Sequence, residues 1–147
     1  MITKLENDDL EGFGSDLIRE GACSFIQSIS ESNVFQLIPE KERSIVIEKI
    51  WYIIDTTLSR SEELLLNSAS GSLESYLVSS NGCVCMSRER LATYLANIKF
   101  NKDAHFKRGF SLALASMTRE FLAENLEEII DGLVDATLIQ VLFIVPL

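Results

Sequence analysis

At 147 residues the chain can bury one core, and its length excludes two domains of ordinary size. A composition of 47% hydrophobic and 24% charged residues excludes a disordered chain, which lacks the apolar surface that offsets conformational entropy. A formal net charge of -9 argues against polyanionic partners, which meet long-range repulsion.

Two prolines and seven glycines favour long helices over many short strands, so the expected fold is all-α, a single-domain bundle of about five to six helices. The first stretch, MITKLENDDLEGFG, has no apolar run behind a basic start, so neither a signal nor a transit peptide is expected, and a cytoplasmic location is. Residues 1–14 read as a flexible acidic N-terminus. Ser15 can cap a helix over about 16–30, with Asp16 at its positive end. Ile18, Ala22, Phe25 and Ile29 form the predicted buried stripe, widened by Leu17 and Ile26, and Cys23 falls in the core.

Pro39 suits a first helical position, and a long helix is predicted over about 39–67, with Ile47, Ile50, Trp51, Ile54, Leu58 and Leu65 on one side. Over 72–86 two readings stand: Leu73, Tyr76 and Leu77 suit one short helical turn, while 76–86 resembles a small hairpin around Asn81-Gly82. Ser87 caps a helix over about 88–98, whose stripe is Leu91, Tyr94, Leu95 and Ile98. A second long helix is predicted over about 103–131, with Phe106, Phe110, Ala113, Met117 and Phe121 facing the core and continuing into Leu126, Ile129 and Ile130. Gly109 should weaken it by about 1 kcal/mol relative to alanine, and Gly132 offers its stop. The apolar tail LIQVLFIVPL is far below the roughly 20 residues of a membrane span. Left undocked, it would make a homodimer through the C-terminus an alternative.

Charge is distributed unevenly. Residues 87–110 hold six basic side chains against two acids, a net +4, while 1–37 and 111–147 each carry -5. Arg88, Arg90, Lys99, Lys102, Lys107 and Arg108 could contact phosphates with Phe100 as a stacking ring, but no phosphate loop or RNA-binding signature accompanies them. The favoured reading is a salt-bridging face that offsets nearby acids, with Phe106 inward and Lys102 and Lys107 outward, and no direct nucleic-acid binding.

No catalytic set is expected. The single histidine, His105, could be joined only by Cys83 or Cys85 and an unplaced carboxylate. CVC with one histidine falls short of the four ligands of structural zinc, so neither metal nor cofactor is expected. The adjacent acid pairs Asp8-Asp9, Glu62-Glu63 and Glu127-Glu128 point about 100° apart on a helix and do not converge on one substrate.

The candidate partner-binding residues are Glu120, Glu124, Glu127, Glu128, Asp131 and Asp135. On the predicted boundaries they crowd the C-terminal half of the last helix, where the dipole disfavours negative charge, so a role outside helix stability is inferred for them. An acidic ridge suits a basic protein partner, since complementary potential speeds encounter and rejects wrong partners. In size, charge and lack of a catalytic signature, the chain resembles the small acidic immunity proteins of bacterial toxin-immunity pairs, including those of contact-dependent inhibition systems. The resemblance implies a non-catalytic cytoplasmic protein that neutralises a cognate toxin, often a nuclease with a basic cleft, and it assigns no residue. The alternative is a histone-fold-like or other dimerising helical module, from a short helix, a long one and a short one over 16–30, 39–67 and 88–98.

Overall fold

The computed structural model describes residues 4–79, 86–101 and 103–144, with backbone alone at 4–15, 79 and 139–144. Six α-helices follow one another: α1 (Lys4–Glu31), α2 (Glu40–Leu58), α3 (Glu63–Ser79), α4 (Arg88–Phe100), α5 (Ala104–Ala115) and α6 (Arg119–Ile144), with a short 3-10 turn at Val34–Leu37. There is no strand among the described residues. The all-α bundle expected from composition is the fold observed.

Helices α1, α2 and α3 pack against one another, α5 lies on α2 and α3, α4 packs on α5, and α6 rests chiefly on α4. One continuous apolar core draws on all six, from Cys23 and Ile26 of α1 through Trp51, Tyr76, Tyr94 and Phe110 to Ile129 and Ala136 of α6.

α1 begins well before Ser15. Residues 4–14 contain no proline to break it. Its buried side agrees with the predicted stripe in part. Ile26 and Cys23 are inside as expected and Ile29 packs partly buried, joined by Ser30, whereas Leu17, Ile18 and Phe25 are exposed. The α1–α2–α3 seam is built from small residues, which lets the backbones approach. Ser30, Thr57 and Ser72 are fully buried there, and each hydroxyl donates within its own helix, to the carbonyls of Ile26 (2.6 Å), Ile53 (2.7 Å) and Ala69 (2.9 Å). These polar atoms are therefore satisfied without spreading the helices. Cys23 belongs to the core as expected, and burial pushes its thiol pKa up.

The predicted helix over 39–67 is two helices. The chain reverses at 59–62, where Arg60 N–H donates to Thr57 O (3.1 Å) and Glu62 O accepts from Leu65 and Leu66 N–H (both 3.1 Å). The reversal turns Leu65, Leu66, Ala69, Leu73 and Tyr76 of α3 onto the core already lined by Ile50, Trp51, Ile54 and Leu58 of α2. The first three helices are 28, 19 and 17 residues long, so the short-long-short order behind the histone-like alternative is not there. Residues 76–79 of the hairpin alternative are helical, since Tyr76 and Leu77 are buried on the core face of α3. The rest of that segment, 80–85, lies outside the described residues.

α4 matches its prediction closely. The Ser87 side chain accepts from Arg90 N–H (3.1 Å), and Leu91, Tyr94, Leu95 and Ile98 are buried. The predicted helix over 103–131 is again two. Asp103 caps α5 through His105 N–H (2.9 Å); the chain then breaks at 116–118, and Thr118 Oγ1 accepts from Phe121 N–H (3.3 Å) to start α6.

Gly132 does not stop this last helix, which runs on to Ile144. A Cβ there would lie 2.8 Å from Leu95 Cδ2, and one at Gly109 would lie 1.9 Å from the Leu58 carbonyl oxygen. Both glycines mark close helix crossings, α6 over α4 and α5 over the end of α2.

Candidate functional site

All six predicted partner-binding residues are on α6. The helix starts at Arg119 and runs to Ile144, which revises the expected placement: Glu120 is in its first turn, where negative charge is favourable, and Glu124, Glu127 and Glu128 follow in its N-terminal half, away from the unfavourable C-terminal end. Local helix stability therefore accounts for part of the acidity. What remains is the geometry. At about 100° per residue, the six acids fall on one side of α6, away from buried Ile129, Gly132 and Ala136.

Five of them, Glu124, Glu127, Glu128, Asp131 and Asp135, line an open groove of about 540 Å³ between α6 and α4, together with Asn125 of α6 and with Arg88 and Lys99 on the α4 side. Glu120 is exposed and lies outside the groove. Arg88 reaches Glu128 (3.7 Å) and Lys99 reaches Asp135 (3.3 Å), so the two ends of the groove carry ion pairs. Glu124, Glu127 and Asp131 are exposed and form no ion pair among the described residues. Nothing in the local sequence flagged Arg88 and Lys99 as groove residues, because their partners are more than thirty positions away.

The same pairs answer the question of the basic block. Four of its six cations meet acids: Arg88 and Lys99 as above, Arg90 with Asp55 (2.5 Å), and Arg108 with Glu63. Arg90 also lies 4.0 Å over the Trp51 ring. Lys107 is half-buried beside Ile98 and Leu133, and Phe106 packs partly buried against the core. Lys102 is outside the described residues. Phe100 is exposed. The block holds α4 and α5 to acidic neighbours, which is the salt-bridging face expected.

Asp55 joins two elements, taking a hydrogen bond from the Tyr94 hydroxyl as well as from Arg90. Burial, reinforced by the Asp55 charge, raises the Tyr94 pKa well above the ordinary phenol value. The cluster ties α2 to α4.

His105 borders a small hollow of about 250 Å³ with Ser59, Arg60, Ser61 and Asp103. Neither Cys83 nor Cys85 is among the described residues. No group of three or more His, Cys, Asp or Glu that could hold a metal occurs among the described residues, and none of their helices is long and apolar enough to cross a membrane.

The predicted core face of α6 is correct at Ile129 and revised at Leu126 and Ile130, which are 53% and 48% exposed. With Val134 and Leu138, also about half exposed, they form a row at four-residue spacing, of which the sequence pattern assigns Leu126 and Ile130 to the interior. No protein-family model, curated protein or solved structure matches the chain.

Proposed function

We propose that this protein is a non-catalytic acidic binding protein that neutralises a basic protein partner through α6, most concretely an immunity protein that inhibits a cognate bacterial toxin such as a nuclease. One observation supports the reading above the others. Glu124, Glu127 and Asp131 stand exposed on one helix face without ion pairs among the described residues, while four cations of the basic block are engaged within the chain. A surface that has kept its acids available while using its bases internally attracts cations and repels polyanions. The shallow groove beside them suits side chains from another macromolecule better than an enclosed small ligand, which needs burial over most of its surface.

The test is native affinity purification from the source cell, followed by charge reversal. The expected companion is basic, coeluting at low salt and released at high salt. Glu124→Lys with Glu127→Lys and Asp131→Lys should weaken that complex on the order of tenfold or more while leaving the circular dichroism and melting of the free chain intact. A complex that survives the triple reversal at full affinity removes α6 from the interface.

A further inference from the structure

α6 presents two neighbouring columns. Leu126, Ile130, Val134 and Leu138 form an exposed apolar row with a spacing of four residues. Each of the first three is followed directly by an acid, Glu127, Asp131 or Asp135, so an acidic column runs beside the apolar one, rotated by about 100°. Neither column is directed at the core, which α6 meets through Ile129, Gly132 and Ala136.

We propose that this double column is a docking ridge for one amphipathic helix of the partner, carrying apolar residues on one face and Lys or Arg along its flank. The inference rests on the basic-partner reading above and adds a shape and an apolar component to it. Rows spaced by four are the ridges that interdigitate in the commonest class of helix crossing. Charge complementarity selects the occupant. A second copy of this chain packed antiparallel, about a two-fold axis perpendicular to the row, would set the Glu127 and Asp131 column against the same column of its neighbour, and the net charge of -9 opposes self-association in any orientation. An anionic lipid surface meets the same acids and is repelled. A helix with a basic flank instead places its cations over Glu127 and Asp131 while its apolar face covers Ile130 and Val134, the helix-on-helix mode of recognition.

The experiment uses the full chain and two synthetic Leu/Lys peptides of about 18 residues, long enough to span the row at about 1.5 Å per residue. One peptide has leucine and lysine in adjacent helical columns; the other is its scrambled isomer. Fluorescence anisotropy should show the amphipathic isomer binding about tenfold more tightly than the scrambled one. Ile130→Gln with Val134→Gln should erase that preference while leaving the melting temperature unchanged, since both side chains are half exposed. Glu127→Gln with Asp131→Asn should weaken both peptides and flatten their salt dependence. Equal binding of the two isomers, weakened by the acid substitutions alone, overturns the ridge and leaves the electrostatic reading standing. Failure of both peptides to bind at low salt overturns the two together. A free chain that dimerises in sedimentation, and is returned to monomer by Ile130→Gln with Val134→Gln, assigns the row to a second copy and overturns the proposal.

Discussion

Tyr94 and Tyr76 are both shielded from water, yet their hydroxyls have opposite circumstances. Tyr94 donates to Asp55, whose carboxylate also holds Arg90 over Trp51. Tyr76 packs its ring against Phe35 (5.3 Å) and Trp51 (5.7 Å), and its hydroxyl has no hydrogen-bond partner among the described residues. Removing a bonded hydroxyl leaves a charged acceptor short of a donor, whereas removing an unbonded one loses only a desolvation penalty. Tyr94→Phe should therefore cost about 1–3 kcal/mol, and Tyr76→Phe should be neutral or stabilising by up to about 1 kcal/mol, as measured by urea denaturation. The reverse order would mean that the hydroxyl of Tyr76, not that of Tyr94, holds the aromatic cluster. Both phenols also have raised pKa values, chiefly through burial. In the unfolded chain they ionise near 10.0, and the Cys23 thiol near 9.0, while the native state keeps these protons. The native state then binds more protons than the unfolded one, so stability is full below pH 9 and falls as pH rises through 10 and beyond. Tyr94→Phe should make that alkaline fall shallower.

At the level of helices, α4 was legible because a capping serine and a four-residue apolar stripe agree, and the fold satisfies both. The two predicted long helices were not, for a physical reason: the apolar period stays in phase across each reversal, through Leu58 to Leu65 and through Ala113 to Met117 and Phe121. Periodicity reports which side is wet and is blind to a change of direction. The local cues were Ser59-Arg60-Ser61 and Ser116-Met117-Thr118, short polar-capped breaks whose hydroxyl groups favour helix ends. The flank of α1 was misread differently. Ile18 and Phe25 fit a stripe, but the tight seam selected the smaller Cys23 and Ser30. Gly109 tests the account of these crossings. Alanine there would gain about 1 kcal/mol of helix propensity but place Cβ 1.9 Å from a backbone oxygen of Leu58 that cannot swing aside. Gly109→Ala should cost about 3 kcal/mol or more, and Gly132→Ala markedly less, because its neighbour is the movable end of Leu95. Equal thermal shifts for the two would show that α5 can slide off the end of α2.

For the molecule as a whole, a net charge of -9 means self-repulsion that, among the described residues, four acid-base contacts between helices and one from the 59–62 reversal to α1, Arg60 with Asp16 (2.9 Å), only partly relieve. Raising ionic strength from about 0.01 to 0.15 M shortens the screening length from about 30 to about 8 Å. It weakens repulsion among distant acids more than attraction at contact, and exposed pairs contribute little in any case. The melting temperature should rise by several degrees over that range in calorimetry. A decrease would make the ion pairs the dominant electrostatic term. The acidic grouping on the last helix could be found from the sequence because it is local in the chain. The engagement of Arg88 and Lys99 with it could not, since only the tertiary fold brings α4 alongside, and the apolar row was hidden because half-exposed and buried leucines look alike in a pattern.

α6 is supported chiefly by one neighbour, α4, over a crossing kept close by Gly132. Its amides should therefore open to deuterium earlier than those of α2, which is wedged between α1, α3 and α5. A bound companion lying along it would then work as a clasp, slowing uptake across 119–138 and leaving the rates in α2 unchanged.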